Sequence, residues 1–408
     1  MQAETTMATP RATRKMEPRG VNSPLPLYLA IREFWRNRGR FFLVSLVIAL
    51  ITILVLFIDG LTLGLGTGNI EYLSKLNAEL IVFQENSDLS TSASRLGQSI
   101  GREIRRVDGV QEVGVIGVSN TSIVQGTDED PLNVSLLGVE PGTPGEPPVI
   151  LGRGLRSKGS DEAIIDRNVA LRTGILVGDD VTVRSIQGTE EEFYTLRVVG
   201  ISDGRQYFLR PAIFVPYVTW NEIRPKATEQ NSNDEIIMNF AAVKLENPAD
   251  SAAMASRLEE NISKTEVVDR ATAYKATPGY AEQQSTLNTI RIFTLLIGVL
   301  VLGGFFQIQT LQKVGQIGML KAIGANNRTI AISFLVQIVY VTILGVAIGA
   351  VGTLLLSLGL PATVPITFTA QSVGVALASL LIIGPLGGLV SLFVLLRIEP
   401  LTALGLAS

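Results

Sequence analysis

The chain has 408 residues, 34 basic and 37 acidic side chains for a net charge of −3, and neither histidine nor cysteine. That composition excludes a Ser-His-Asp triad, a thiol nucleophile, a phosphorylated histidine and an ordinary zinc or haem site. No GxxxxGK[ST] loop occurs, so ATP is not hydrolysed by that device, and the lack of cysteine leaves the redox compartment open.

Residues 1–25, rich in Thr, Pro and Arg, read as a disordered tail. The first apolar run, Phe41 to Ile58, holds 18 residues without a charge. At 1.5 Å per residue it covers about 27 Å, close to the hydrocarbon thickness of a bilayer. It is longer than a signal-peptide core and starts only after forty residues, so it reads as a retained span. Residues 26–66 therefore form an amphipathic segment and span one.

A polar stretch, 67–285, follows. Leu80-Ile-Val-Phe reads as a strand, and Ser94–Val107 as a helix with Leu96, Ile100, Ile104 and Val107 at helical spacing. Val110–Val118 and Asn133–Val139 return to strand patterning. At the far end Ile236–Leu245 reads as a strand, Pro248–Ile262 as a helix and Thr265–Val268 as extended. Between them, Pro- and Gly-rich Pro141–Pro148 and the short Val/Ile runs of Ala163–Val218 predict a β-rich insertion over 141–234. Turns at Val177-Gly-Asp-Asp-Val and Ile186-Gln-Gly-Thr suit hairpins. The acidic triplets Asp128–Asp130 and Glu190–Glu192 lack EF-hand spacing and read as solvated loops.

Apolar sequence then resumes. Ile292–Gln312 is 21 residues long, and Thr329–Leu396 runs 68 residues without Asp, Glu, Lys or Arg. Gly359-Leu-Pro-Ala-Thr-Val-Pro-Ile366 divides that run in two. The layout is 1 + 3: spans at 286–312, 329–358 and 372–396, an inner loop at 313–328, an outer loop at 359–371 and a tail at 397–408.

Arg11, Arg14, Lys15, Arg19, Arg32, Arg36, Arg38 and Arg40 precede span one against Glu4, Glu17 and Glu33. The inner loop adds Lys313, Lys321 and Arg328 without an acid, so both termini are expected to be cytoplasmic and 67–285 extracytoplasmic. Residues 66–285 carry 21 basic and 32 acidic side chains, a partition that suits a membrane protein and gives no footprint for nucleic acid. Few polar residues and no row of charges lie within the spans, which argues against an ion-coupled pump. Asp59 and Arg291 sit at the outer ends of spans one and two, where a pair would tie two stalk helices together. Gly345-Val-Ala-Ile-Gly349 and Gly384-Pro-Leu-Gly-Gly388 predict close helix contacts, and Pro385 a kink.

The inner loop reads Gln316-Ile-Gly-Met-Leu-Lys-Ala-Ile-Gly-Ala325, which resembles the E-I-G-x-L-[RK]-A-x-G-A signature of FtsX/MacB-type ABC transporter permeases. Pro26–Arg40, Leu137–Pro141, Ile175–Val181, Val198–Ile201 and Arg397–Leu401 resemble the same family in the same order. The resemblance implies an α-helical membrane protein with four spans and a large α+β extracytoplasmic domain. Its Porter-like part would be 67–140 with 235–285, and its Sabre-like β-rich insertion 141–234. It further implies a permease dimer, of two copies or of two paralogues, that docks a separate cytoplasmic ATPase holding ATP and Mg, binds no cofactor itself, and relays motion outward to drive export or extraction. A periplasmic adaptor is expected in a two-membrane cell.

Gln316, Ile317, Gly318, Leu320, Lys321, Ala322, Gly324 and Ala325 become the expected ATPase-coupling residues. Ile317, Leu320 and Ile323 are expected on one apolar side with Lys313 and Lys321 at its edges, and Gly324 as the helix stop. The family's usual Glu is Gln316 here, which removes a salt bridge and leaves apolar contact and Lys321. DevC-type and lipoprotein-releasing permeases share these features. An FtsX-like regulator of a cell-wall hydrolase is the alternative within the family, and a membrane-anchored receptor the alternative outside it. Asp161, Glu162 and Asp166 are paired carboxylates near a strand that an enzyme reading could use as acid and base, although carboxylates flanking a hairpin are usually solvated.

Overall fold

A computed structural model describes residues 38–124, 131–226, 236–361 and 364–396. The expected tails at 1–25 and 397–408, most of the amphipathic segment at 26–37 and the triplet Asp128–Asp130 lie outside the described residues. In chain order the elements are α1 (Arg38–Ser74), β1 (Leu80–Gln84), β2 (Leu96–Gly97), α2 (Ser99–Ile104), β3 (Val110–Val124), β4 (Leu132–Val139), β5 (Val149–Gly152), β6 (Glu162–Asp166), α3 (Arg167–Thr173), β7 (Asp180–Gln187), β8 (Glu190–Ser202), β9 (Ala212–Pro216) and α4 (Tyr217–Ile223). They continue with β10 (Ile237–Met238), β11 (Phe240–Leu245), α5 (Ser251–Asn261), β12 (Thr265–Asp269), α6 (Arg270–Lys275), α7 (Tyr280–Gln312), α8 (Val314–Ala322), α9 (Asn327–Leu358) and α10 (Ala370–Leu396).

Among the described residues, four helices, α1, α7, α9 and α10, are long and apolar enough to cross a membrane. The 37 residues of α1 and 33 of α7 reach about 55 and 50 Å, well beyond a hydrocarbon core of about 30 Å. Each therefore extends past its apolar run as a stalk.

The chain forms two compact units. Among the described residues, one lies within 1–50, 298–349 and 379–408, the other within 51–297 and 350–378. The first is a helix bundle packed through missing side chains. A Cβ on Gly345 would lie 2.6 Å from Ile48 Cβ, one on Gly384 2.2 Å from Thr342 Oγ1, and one on Gly388 2.4 Å from Ile338 Cδ1. Both glycine motifs thus serve contacts within the chain.

In the second unit, strands pair in the order β12-β1-β11-β3-β4-β9-β6-β8-β5, with β7 bridging β3 and β8. The 15-residue β3 changes partner midway. Val110–Ile116 pairs with β11, while Gly117–Ile123 pairs with β4 and Ser122–Val124 with β7. The pairings β3-β4-β9-β6-β8-β7-β3 close on themselves, so six strands form a barrel without free edges. Leu80 and Val82 of β1 enter one apolar cluster and Ile81 and Phe83 the other, the two-residue period of a sheet buried on both faces. The glycine pair Gly117↔Gly138 makes a flat seat for the Trp220 indole, whose Nε1 donates to Ser119 Oγ at 3.0 Å.

Two differences from the sequence reading have physical causes. The expected start of the insertion at residue 141 follows composition, yet Ser135–Val139 of β4 hydrogen-bonds in parallel with Ala212–Pro216, so the sheet runs across that boundary. The expected helix from Ser94 begins at Ser99, because Leu96–Gly97 pairs with β10 and Ser94 Oγ accepts from Gln84 N–H.

Two of the three carboxylates open to an enzyme reading have structural partners. Glu162 forms an ion pair with Arg153, which together with the Arg156 amide holds its carboxyl below the usual range. Asp166 is fully buried and caps α3, accepting from Asn168 N–H at 2.8 Å and Arg205 N–H at 3.3 Å. Burial outweighs those bonds and pushes its pKa up to about 6 from 3.8. A carboxyl held above its unfolded value favours the neutral folded state, so its stabilising contribution is complete below about pH 4 and lost as pH rises through about 6. The expected loss is up to about 3 kcal/mol. Asp166→Asn is expected to flatten the stability profile between pH 4 and 6 in thermal denaturation of the full chain; an unchanged slope would refute this.

Candidate functional site

The short helix α8 emerges directly from α7. Lys313 stands at its N-cap position, and its C-terminus is closed by a Schellman motif: Gly324 N–H donates to Lys321 O at 3.0 Å and Ala325 N–H to Leu320 O at 2.9 Å. The closure needs a left-handed residue, and Gly324 supplies φ +93°.

Burial divides the helix differently from the sequence reading. Ile317 and Gly318 are buried, whereas Met319, Leu320 and Ile323 are 61, 40 and 79% exposed and Gln316 and Ala322 are also exposed. At 100° per residue, Gln316, Met319, Leu320 and Ile323 follow i, i+3, i+4, i+7 and form one face, and Ile317 falls about 100° from Gln316. The outward apolar face therefore includes Met319, which the sequence reading omitted, and excludes Ile317. Lys321 and Ala325 are half-buried at its margins.

Lys313 is also placed differently. Instead of edging the exposed face it is 9% exposed, its Nζ donating to Gln337 Oε1 of α9 at 2.9 Å and lying 5.6 Å from the Phe41 ring centroid of α1. A cation buried against an aromatic face and an amide oxygen ties the root of α8 to two neighbouring helices.

In the other unit, Arg291 Nε of α7 lies 3.3 Å from Asp59 Oδ1 of α1, with the carboxylate side chain 9% exposed. Seven residues further on each helix, a Cβ on Gly66 would lie 2.4 Å from Gln284 Nε2. The two helices thus run antiparallel and close over about two turns. Along α1, Gly60, Gly64 and Gly68 make a second seam. Thr367 N–H donates to Gly60 O at 3.1 Å, and a Cβ on Gly64 would lie 1.8 Å from Pro365 O. The outer connection between α9 and α10 is therefore strapped to the first stalk. The i, i+4, i+8 spacing of these glycines is the sequence signal of the seam.

Residues 41–261 match the MacB-like periplasmic core domain and residues 288–400 the FtsX-like permease C-terminal domain. Among curated proteins, the chain is similar to one provisionally named the hemin transport system permease protein HrtB in Staphylococcus haemolyticus. The identity is 26% over 384 residues, covering 92% of this chain and 99% of the relative. Its namesake in Staphylococcus epidermidis is 26% identical over 381 residues, with the same shares covered. Among solved structures, the extracellular domain of the ABC-type transporter YknZ from Gram-positive bacteria aligns with a TM-score of 0.34 and 17% identity over 46% of this chain and 98% of that one. The periplasmic region of MacB from Actinobacillus actinomycetemcomitans aligns with a TM-score of 0.35 and 13% identity over 50% of this chain and 93% of that one.

Proposed function

This chain belongs to the ABC transporter permeases that join a MacB-like periplasmic core domain to an FtsX-like permease domain, and from that premise we propose that it converts ATP hydrolysis by a separate cytoplasmic ATPase into motion of its extracytoplasmic domain. The observation that carries the proposal is the apolar face of α8, Gln316, Met319, Leu320 and Ile323, held outward on a capped helix whose other side is buried. Such a face suits a groove on a partner. Lys321 supplies a charge beside it, and Gln316 makes contact without an ion pair.

In this reading both termini and α8 are cytoplasmic and 67–285 lies outside, as the basic flanks of the spans favour. ATP and Mg belong to the ATPase, and this chain contributes no catalytic group. The permease acts as a dimer, whose cycle of closing and opening is passed along the overlong helices α1 and α7. The Asp59–Arg291 pair keeps those stalks in register. Work is delivered at the outer face, consistent with spans that carry few polar residues. The curated relatives are named for hemin transport, which makes hemin the first substrate to test, and an adaptor would join the complex only in a two-membrane cell.

The deciding experiment is copurification with the genome-neighbouring ATPase and measurement of ATP turnover in lipid nanodiscs. Association and a several-fold rise in turnover over the ATPase alone are expected, with a further rise on adding hemin. No association would overturn the proposed coupling to that ATPase, whereas indifference to hemin would remove only the substrate.

A further inference from the structure

The first stalk is gripped by a hairpin whose backbone adopts a conformation that its own side chains disfavour. Tyr207 N–H donates to Arg210 O at 3.0 Å and Arg210 N–H to Tyr207 O at 3.1 Å, forming an antiparallel bridge. The two residues between, Phe208 and Leu209, have φ of +48° and +61°. A two-residue turn with positive φ at both positions is type I′, which normally takes Asn-Gly because a larger side chain crowds the following carbonyl. Phe-Leu persists there only because something outside the turn fixes it.

That something is α1. Phe208 N–H donates to Asn69 O at 3.3 Å, Leu209 N–H to Gly68 O at 3.2 Å, and Tyr72 N–H reaches out of the helix to Gln206 O at 3.0 Å. In a helix, Gly68 O and Tyr72 N–H are each other's assigned partners, so the hairpin engages the ladder itself. Gly68 allows the approach, since a Cβ there would lie 2.7 Å from Gln206 Oε1 and 3.2 Å from Leu209 Cδ2. Around this contact Gln206 N–H donates to Glu71 Oε2 at 3.2 Å, Lys75 Nζ to Gly204 O at 2.8 Å and Arg205 Nη1 to Lys75 O at 2.5 Å. On its other side Ser135 Oγ of β4 donates to Tyr207 O at 3.0 Å, and the Tyr207 hydroxyl is bonded to Thr91.

We propose that Gln206–Leu209 is a latch: engaged on α1 at Gly68–Tyr72 it is held strained, and movement of α1 is passed through it into the six-stranded barrel. Phe208 and Leu209 are positioning residues, acting through the stalk they hold. The engaged geometry stands by itself, while the movement of α1 rests on the permease function proposed above.

Amide hydrogen exchange on the full chain in nanodiscs tests the latch, with the amides of Phe240–Leu245 as an internal control for global stability. Leu209→Gly and Leu209→Asn accept the left-handed conformation and are expected to slow exchange at Tyr72 about fivefold. Leu209→Pro, which can neither adopt that φ nor donate, is expected to accelerate it about tenfold, equivalent to about 1.4 kcal/mol. Unchanged or faster exchange at Tyr72 in both relaxed variants, with the control amides unaltered, overturns the strained latch. In the complex with the ATPase, trapping the ATP-bound state is expected to change exchange at Tyr72 and Leu209 at least about fivefold. Equal exchange in a complex that turns over ATP overturns the transmission role. Failure of the ATPase to associate counts against the proposed ATPase coupling instead and leaves the result on the chain alone to decide the latch.

Discussion

Leu320→Asp is expected to abolish stimulated ATP turnover and to weaken association with the ATPase by about 30-fold or more, with Met319→Asp close behind. Both side chains lie on the outward face of α8, at 40 and 61% exposure, so a carboxylate is tolerated in the free chain. The penalty arises only on docking, when the charge would be desolvated in an apolar groove without a partner, a change worth about 2 kcal/mol or more at the centre of an interface. Lys321→Glu, at the half-buried margin, is expected to cost less. The variants should keep the thermal stability of the parent, which separates loss of docking from loss of fold. Binding of the ATPase with parental affinity by both Asp variants would sink the assignment of α8 as the coupling element.

Gly64→Leu is expected to produce the largest structural defect of any single substitution in the first stalk, and Gly64→Ala a measurable one. The first added carbon would lie 1.8 Å from the Pro365 carbonyl oxygen and 2.5 Å from its carbon, and both are backbone atoms that cannot rotate away. The strap must therefore lift off the helix, giving up the Thr367 N–H bond to Gly60 O and the seat of Phe368 and Ile366 on Gly60. Overpacking of this kind costs about 1–3 kcal/mol for a methyl, and a Leu exceeds it. Gly304→Ala is the control, because nothing lies within 4 Å of its added Cβ and alanine is the better helix former. Thermal denaturation in nanodiscs checks both. A Gly64→Ala variant melting within about 2 °C of the parent would show that the strap carries no stability.

The spans were legible because a bilayer imposes a rule that needs no tertiary information: about 20 uncharged residues in a row. Phe41–Ile58 and Ile292–Gln312 fall inside α1 and α7, and the break at 359–366 falls between α9 and α10. The stalk extensions go beyond that rule, since Gly60, Gly64, Gly66 and Gly68 interrupt the apolar pattern of α1 with residues that disfavour a helix by themselves. The coupling role proposed for α8 rests on its motif, and the face it exposes differs from the one the sequence predicts. Ile317 and Leu320 are neighbours by helical angle, and only the rest of the bundle decides which one is covered. Lys313 shows the limit most plainly. A lysine between two apolar runs reads as an interfacial cation, and its burial depends on Gln337 and Phe41, 24 residues after it and 272 before it.

The sequence by itself determined the number of spans, the expected sidedness, the absence of thiol and imidazole chemistry, and the strand and helix material of the outer domain. These follow from composition and local period, which are properties of short segments. The tertiary structure alone decided that β4 joins the insertion in one sheet, that β7 closes a barrel, that α8 presents Met319 while hiding Ile317 and Lys313, and that a Phe-Leu turn is held left-handed against α1. Each of those outcomes depends on hydrogen bonds or steric contacts between segments distant in the chain, and no local pattern encodes which distant partner will occupy the space.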